Sequence, residues 1–318
     1  MKNIYLNIYK PNFVNLKKAK KNIENNNIIG MPTETVYGLA GNAYSNRSVK
    51  KIFKLKKRPA FNPLIIHYKN LSSLRKDVIL NDDFKKLYNV FCPGPITFIL
   101  NKKKKCKISK KATAGKKTVA VRIPKHKVAR KLLNIAKFPL AAPSANMSSK
   151  LSPTSAKDVV DEFGKKIKFI LNGGQCRFGI ESTIVDLTGN PKILRPGSIT
   201  MEKIQKVLKK KIKIAKYLKK IKAPGQLKYH YSPGIPVEMN KKYAKRNQAL
   251  IGFGKKFEPK KNHFNLSKSG NLEEAANNLY KTMRKIKKKK FKSIAVTKIP
   301  NTTIGLAIND RLMKASKK

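Results

Sequence analysis

The sequence has no tryptophan, three cysteines, four histidines and only 16 acidic residues against 74 basic ones in a length of 318. Each scarcity excludes something. Cys92, Cys106 and Cys176 form no CxxC pair, so neither a disulfide framework nor a zinc site is expected. His67, His126, His230 and His263 lack metal-ligand spacing. No apolar run approaches the roughly 18 residues that a membrane-spanning helix needs. The opening stretch, MKNIYLNIYKPNF, has neither the continuous apolar segment nor the cleavage site of a signal peptide. A reducing, cytoplasmic setting and no membrane partner are expected.

The formal net charge of +58 invites a nucleic-acid reading. The choice of base tempers it. Ten of the 74 basic residues are Arg and 64 are Lys. Abundant Lys, Asn and Ile with scarce Arg is the pattern of A+T-rich coding composition, a compositional rather than a functional origin. Where any cation serves, Lys stands. A surviving Arg therefore marks a place that needs the planar guanidinium fork.

The length and the 40% hydrophobic content predict two domains, or one large and one small. Short strands are expected at 28–30, 64–66, 96–100, 119–123, 167–171, 183–187 and 192–195. Helical patterns run over 46–57, from Val128 to Ile135, over 154–163 and near 200–209. Ser45 or Asn46 is placed to cap the first of these. Strands interleaved with helices predict an α/β domain with a mixed sheet. Pro224, Gly225, Pro233, Gly234 and Pro236 then punctuate a stretch without apolar periodicity, which reads as a linker. The division expected is 1–212, a linker at 213–238, and a small βαβα unit at 239–318 whose closing helix starts at Asn309.

Standard motifs are missing. Gly115-Lys116-Lys117-Thr118 resembles the tail of a phosphate-binding loop, but the upstream glycine is absent. No GxGxxG follows a strand, and no nucleophile elbow appears. The loops carry the chemistry instead. Thr33 and Thr35 follow a strand end. Lys56, Lys57 and Arg58 end a helix, where cations either answer the helix dipole or clamp a phosphate; both readings stand. Asn62 and His67 flank the next strand. Thr118 and Arg122, four apart on a strand, share a face, and an Arg there suits a carboxylate or phosphate. Ser144, Asn146, Ser182 and Arg195 sit in further turns. Hydroxyls, amides and guanidinium groups with few carboxylates predict an anion-binding cavity, the kind that phosphoryl and nucleotidyl transfer require.

These segments have a known counterpart. PTETVYGLAG, the Lys56-x-Arg58-Pro59 stretch followed by NPLIIH, CPGPITFIL, TVAVRIP, PLAAPSAN, ESTIVD and ILRPG, in that order, resemble the YrdC-like domain of the L-threonylcarbamoyl-AMP synthase family. GQLKYHYSPGIP and IGLAINDRLMKAS are similar to its long, two-domain form. The resemblance spans roughly residues 20–318 and implies a twisted open α/β sheet followed by a small Rossmann-like domain. It implies synthesis of threonylcarbamoyl-AMP and diphosphate from L-threonine, bicarbonate and ATP with Mg²⁺. A downstream transferase complex then modifies tRNAs reading codons that begin with A, with direct tRNA contact left open. Carried onto matching positions, Thr35, His67, Arg122, Ala142 and Ser182 would hold threonine. Arg58, Asn62, Thr118, Ser144, Asn146, Ser152, Arg195 and Tyr231 would hold ATP, and Lys56 and Arg58 would serve catalysis. The linker would close over the nucleotide. The second unit looks shorter than the family's usual tail. Two rivals remain: a non-catalytic RNA-binding module, which lacks aromatic stripes or a GXXG loop, and a hydrogenase-maturation carbamoyl-transfer domain, which would carry zinc-finger cysteines absent here.

Overall fold

The computed structural model describes residues 5–215, 221–227 and 229–317; the linker positions 216–220 and 228 lie outside the described residues. Its centre is an 11-stranded mixed sheet. From one edge to the other its strands are Ile8–Tyr9, Ile170–Leu171, Ile29–Met31, Gly38–Asn42, Leu140–Ala141, Ile65–His67, Thr118–Arg122, Ile96–Asn101, Thr183–Asp186, Lys192–Arg195 and Lys213–Ile214. Parallel and antiparallel pairs alternate irregularly along it.

Local chemistry sets the elements that matter for the site. Helix Asn46–Lys56 begins where the Ser45 side chain accepts from the Ser48 amide, and it ends on Lys57 in the left-handed region at φ 49°. Val49, Ile52 and Lys56 share its buried face at three- and four-residue spacing. Strand Ile65–His67 lies one residue beyond the expected 64–66. The shift puts His67 inside the strand, in register with Arg122 on the parallel neighbour. An N-terminal helix, Phe13–Glu24, was not expected. Its buried Leu16, Ala19 and Ile23 carry a proper helical period, but the lysines between them dilute it.

The second sheet has four strands, all parallel, in the order Val237–Glu238, Ser293–Val296, Gln248–Gly252, His263–Asn265. Helices Leu272–Lys288 and Gly305–Ser316 cover it. The βαβα expectation is therefore corrected by two further short strands. The closing helix starts at Gly305 rather than Asn309, following Ile304 in helical conformation with no side-chain cap to announce it. The expected linker carries a strand of each sheet at its ends, Lys213–Ile214 on the large and Val237–Glu238 on the small. The apolar cluster of the small unit also takes in Val36, Leu151 and Ile180 from the large one and Tyr231 from the linker. Among the described residues, no helix is long and apolar enough to cross a membrane.

Candidate active site

A cleft with about 520 Å³ of space between its atoms, open solvent included, lies where the loops after several large-sheet strands converge. Of the residues singled out by sequence, Thr35, Arg58, His67, Arg122, Ala142, Ser144, Ser182, Arg195 and Tyr231 line it. The linker contributes Pro224, Gly225, His230 and Tyr231 to its wall. Lys56, Asn62, Thr118, Asn146 and Ser152 do not line it.

Arg122 extends from the end of its strand. Its Nη2 donates to Glu34 Oε1 at 2.7 Å, its Nη1 to Thr35 Oγ1 at 2.8 Å, and its Nε to the Gly94 carbonyl at 3.3 Å. Burial by itself would raise Glu34, but the Arg122 charge overrides it and holds the carboxyl below its ordinary range. The arginine thus already has one carboxylate partner, which pins the guanidinium plane. Beside it, burial first and Arg122 second push His67 down to about 3. His67 is a neutral ring at pH 7, and its buried Nδ1 has no partner.

Arg58 and Arg195 form the other side. Arg58 Nε donates to the Asn62 carbonyl at 2.9 Å, and Nη2 donates to Asn62 Oδ1 at 2.6 Å and the Pro63 carbonyl at 2.8 Å. Burial, then the Arg195 charge, pull Arg58 down to about 9. Arg195 donates from Nε to the Ser182 carbonyl at 3.0 Å and from Nη2 to Ser182 Oγ at 3.1 Å. Ser182 Oγ also lies 2.8 Å from Thr97 Oγ1. Neither guanidinium is in an ion pair among the described residues, although the Glu181 charge reaches Arg195, so an added anion would be favoured beside them.

The remaining sequence-named residues act one layer back. Lys56 is fully enclosed, and Nζ donates to the Ser144 carbonyl at 2.6 Å and to the Asn146 carbonyl. Burial, then Arg58, hold its ammonium well below the ordinary lysine value. The hydrogen bonds of Lys56 and Arg58 go to carbonyls outside the helix, those of Ser144 and Asn146 for the one and of Asn62 and Pro63 for the other. Asn62 orients Arg58. The Asn146 amide fastens its own loop through the carbonyls of Met147 and Lys150, both at 2.8 Å. Ser152 donates to Glu181. Thr118 stands four residues before Arg122, about 13 Å along the strand at the usual rise.

The roles of Glu34, Glu181, Gly225 and Arg311 were not read from sequence. Each sits inside a segment already quoted there, and for Arg311 the scarcity of arginine was the available signal. Glu181 is the cavity's lining carboxylate. Burial raises it, but Arg311 and then Arg195 outweigh that and bring it down to about 2. Gly225 runs at φ 82°, and a Cβ there would meet Arg195 Cδ at 2.7 Å and Tyr231 Oη at 2.9 Å.

Fold and site together define a two-domain α/β protein whose cavity gathers three arginines, a lining suited to anionic groups. The family model described as Telomere recombination matches residues 21–197, and that described as Threonylcarbamoyl-AMP synthase, C-terminal domain, matches 199–317. The threonylcarbamoyl-AMP synthase of Pyrococcus abyssi is 38% identical, with 92% of each chain covered. That of Bacillus subtilis is 36% identical over 95% of this chain and 92% of its own. The crystal structure of P. abyssi Sua5 complexed with L-threonine superposes with a TM-score of 0.88 at 35% identity, covering 95% of this chain and 94% of that one. The chain belongs to the threonylcarbamoyl-AMP synthase family, in its long, two-domain form.

Proposed function

We propose that the cavity joins L-threonine, bicarbonate and ATP into threonylcarbamoyl-AMP, releasing diphosphate. The observation that carries this is the convergence of Arg58, Arg122 and Arg195 on one cavity from three separate segments. Arg122, with Thr35 and the neutral His67, provides for an amino acid: a fork for its carboxylate and uncharged partners for its amine and hydroxyl. Arg58, Arg195 and Ser144, backed by Lys56, Asn62, Asn146 and Ser152, provide for the nucleotide. The threonine amine adds to the carbon of bicarbonate and forms a carbamate with loss of water. A carbamate oxygen then attacks the α-phosphorus, and the bond to the β-phosphate bridging oxygen breaks as diphosphate leaves. All three reactants bring negative charge, so the protein's part is to offset repulsion and exclude water. No protein nucleophile is required.

Mg²⁺ is expected with ATP. Among the described residues no cluster of His, Cys, Asp or Glu is arranged to hold a metal. Glu34 and Glu181 are both engaged by arginines. The residues therefore do not fit a protein-held ion, and no step is assigned to one. The product is a labile mixed anhydride and needs an acceptor reaction, the transfer of its threonylcarbamoyl group to a tRNA adenosine by a partner complex.

The test is mass-spectrometric detection of threonylcarbamoyl-AMP from purified protein, Mg-ATP, L-threonine and bicarbonate. Diphosphate release should need both threonine and bicarbonate. Release that ignores either would refute the reading.

A further inference from the structure

Arg311 lies on the last helix, Gly305–Ser316, of the small domain, yet it is only 1% exposed and sits against the cavity wall. Its Nε donates to Glu181 Oε2 at 3.0 Å, and its Nη1 donates to the Pro196 carbonyl at 2.8 Å. Its guanidinium carbon stands 5.2 Å from the ring centre of Tyr231. Glu181 directly precedes Ser182, and Pro196 directly follows Arg195. The Arg195–Ser182 hydrogen bonds inside the cavity are thus flanked, one residue out on each strand, by a bridge through a single guanidinium. Tyr280, on helix Leu272–Lys288, completes the seat by placing its hydroxyl 3.1 Å from both Glu181 oxygens.

We infer that Arg311 is a positioning residue for synthesis: it sets the spacing of Arg195 and Ser182 and seats the Tyr231 wall. Rests of this kind need the arginine shape. Glu181, the Pro196 carbonyl and the Tyr231 face lie in three directions around one planar fork, and a lysine ammonium at the end of a flexible stem holds at most one of them in place. The small domain, on this inference, is a working part of the cavity and not an appendage. The bonds to Glu181 and Pro196 span 130 and 115 positions of sequence, so nothing local substitutes for them.

The inference rests on the synthase reading, and the experiment separates the two. Three full-length proteins are compared: wild type, Arg311→Lys and Leu312→Ala. Leu312, next along the helix, is wholly buried in the apolar cluster that the small domain shares with the linker and the large one, and does not itself line the cavity. Its truncation lowers the melting temperature without touching the bridge. Arg311→Lys keeps a cation beside Glu181, so the chain stays folded, as near-ultraviolet circular dichroism at the assay temperature would register. The expected result is a fall of at least tenfold in kcat/KM for ATP and for threonine in Arg311→Lys. Leu312→Ala should keep wild-type kinetics at the same temperature despite its lower melting point. Wild-type kinetics in Arg311→Lys, or equal kinetic losses in both variants, would overturn the positioning role. A wild-type protein that makes no threonylcarbamoyl-AMP would instead refute the synthase reading itself.

Discussion

Arginine is where the sequence spoke most clearly about single residues. Of the ten arginines, those at 58, 122, 195 and 311 are buried or part-buried and hydrogen-bonded through two or more nitrogens, whereas Arg47, Arg75, Arg177 and Arg246 are exposed, so the need for a planar fork accounts for part of the set. What the sequence could not show is their partners, since Glu34 lies 88 positions from Arg122 and Glu181 lies 130 from Arg311. Replacing Arg122 by lysine leaves a cation that reaches Glu34 or Thr35 but not both. The expected outcome is a loss of about 1.5–3 kcal/mol in the use of threonine, roughly ten- to a hundredfold in kcat/KM, with ATP affinity less affected. Steady-state kinetics with each substrate varied in turn checks it, and an unchanged threonine kcat/KM removes Arg122 from that role. The buried histidines make a second prediction. His67 and His230 are both pushed down to about 3, chiefly by burial. Between that value and the ordinary 6.5 the unfolded chain binds protons that the folded one refuses, so their stabilisation is complete above about pH 6.5 and is lost as the pH falls. Thermal melts should drop steadily from pH 7 to pH 5, by on the order of 1 kcal/mol per pH unit for each ring. His230→Gln should flatten the slope; a slope equal to the parent's would count against this origin.

Among the elements, strong periodicity was legible and short strands were not. The helix at 46–56 and the one at 272–288 announce themselves with caps and apolar stripes. Strands of two or three residues such as Ile8–Tyr9 or His263–Asn265 have no period to read and exist because neighbours pair with them. The linker was legible as proline- and glycine-rich, but its packing was not. Lys314 Nζ donates to the Gly225 carbonyl at 2.8 Å, and the Tyr231 ring is tilted against its neighbour His230 and stacked on Tyr280, so the segment is held from the small-domain side. Cutting the chain at 221 would also strip Arg311 and Tyr280 from Glu181, which leaves that carboxylate with Ser152 and the Arg195 charge. A point change isolates the linker better. Gly225→Ala forces a side chain toward Arg195 and Tyr231 at a positive φ. It should lower kcat/KM for ATP at least tenfold while the melting temperature falls by only a few degrees. A large drop in melting temperature with intact kinetics would make the segment a tether and not a wall of the site.

At the scale of the whole molecule, the fold class and the mixed character of the large sheet followed from the alternation of strand and helix. The depth of the joint between the two domains did not. A boundary drawn from composition suggests two bodies on a string. Instead one apolar cluster runs through both, and Asn277 of the small domain donates to the Cys176 and Arg177 carbonyls of the large one at 2.8 and 2.6 Å. Contacts of this kind depend on complementary surfaces rather than on local pattern, so no window along the chain reveals them. The charge is the opposite case. It is visible at once in the sequence, yet no lysine lines the cavity and most are exposed, where the charge bears on solubility and on attraction to polyanions more than on chemistry.

The bridge between Arg311 and Glu181 also has a history in time. Loop-closure entropy delays contacts between distant segments, and this one must wait for two separate sheets to form before its ends can meet. Refolding from denaturant should therefore show two clocks. Far-ultraviolet ellipticity, which reports the strands and helices, recovers first, and threonine-dependent diphosphate release recovers in a later phase. Between the two the protein would be native by its secondary structure and inert by its chemistry, an interval in which it offers proteases the linker and offers ATP nothing. Stopped-flow ellipticity set beside a double-jump activity assay measures that interval, and coincident recoveries would show that docking keeps pace with folding.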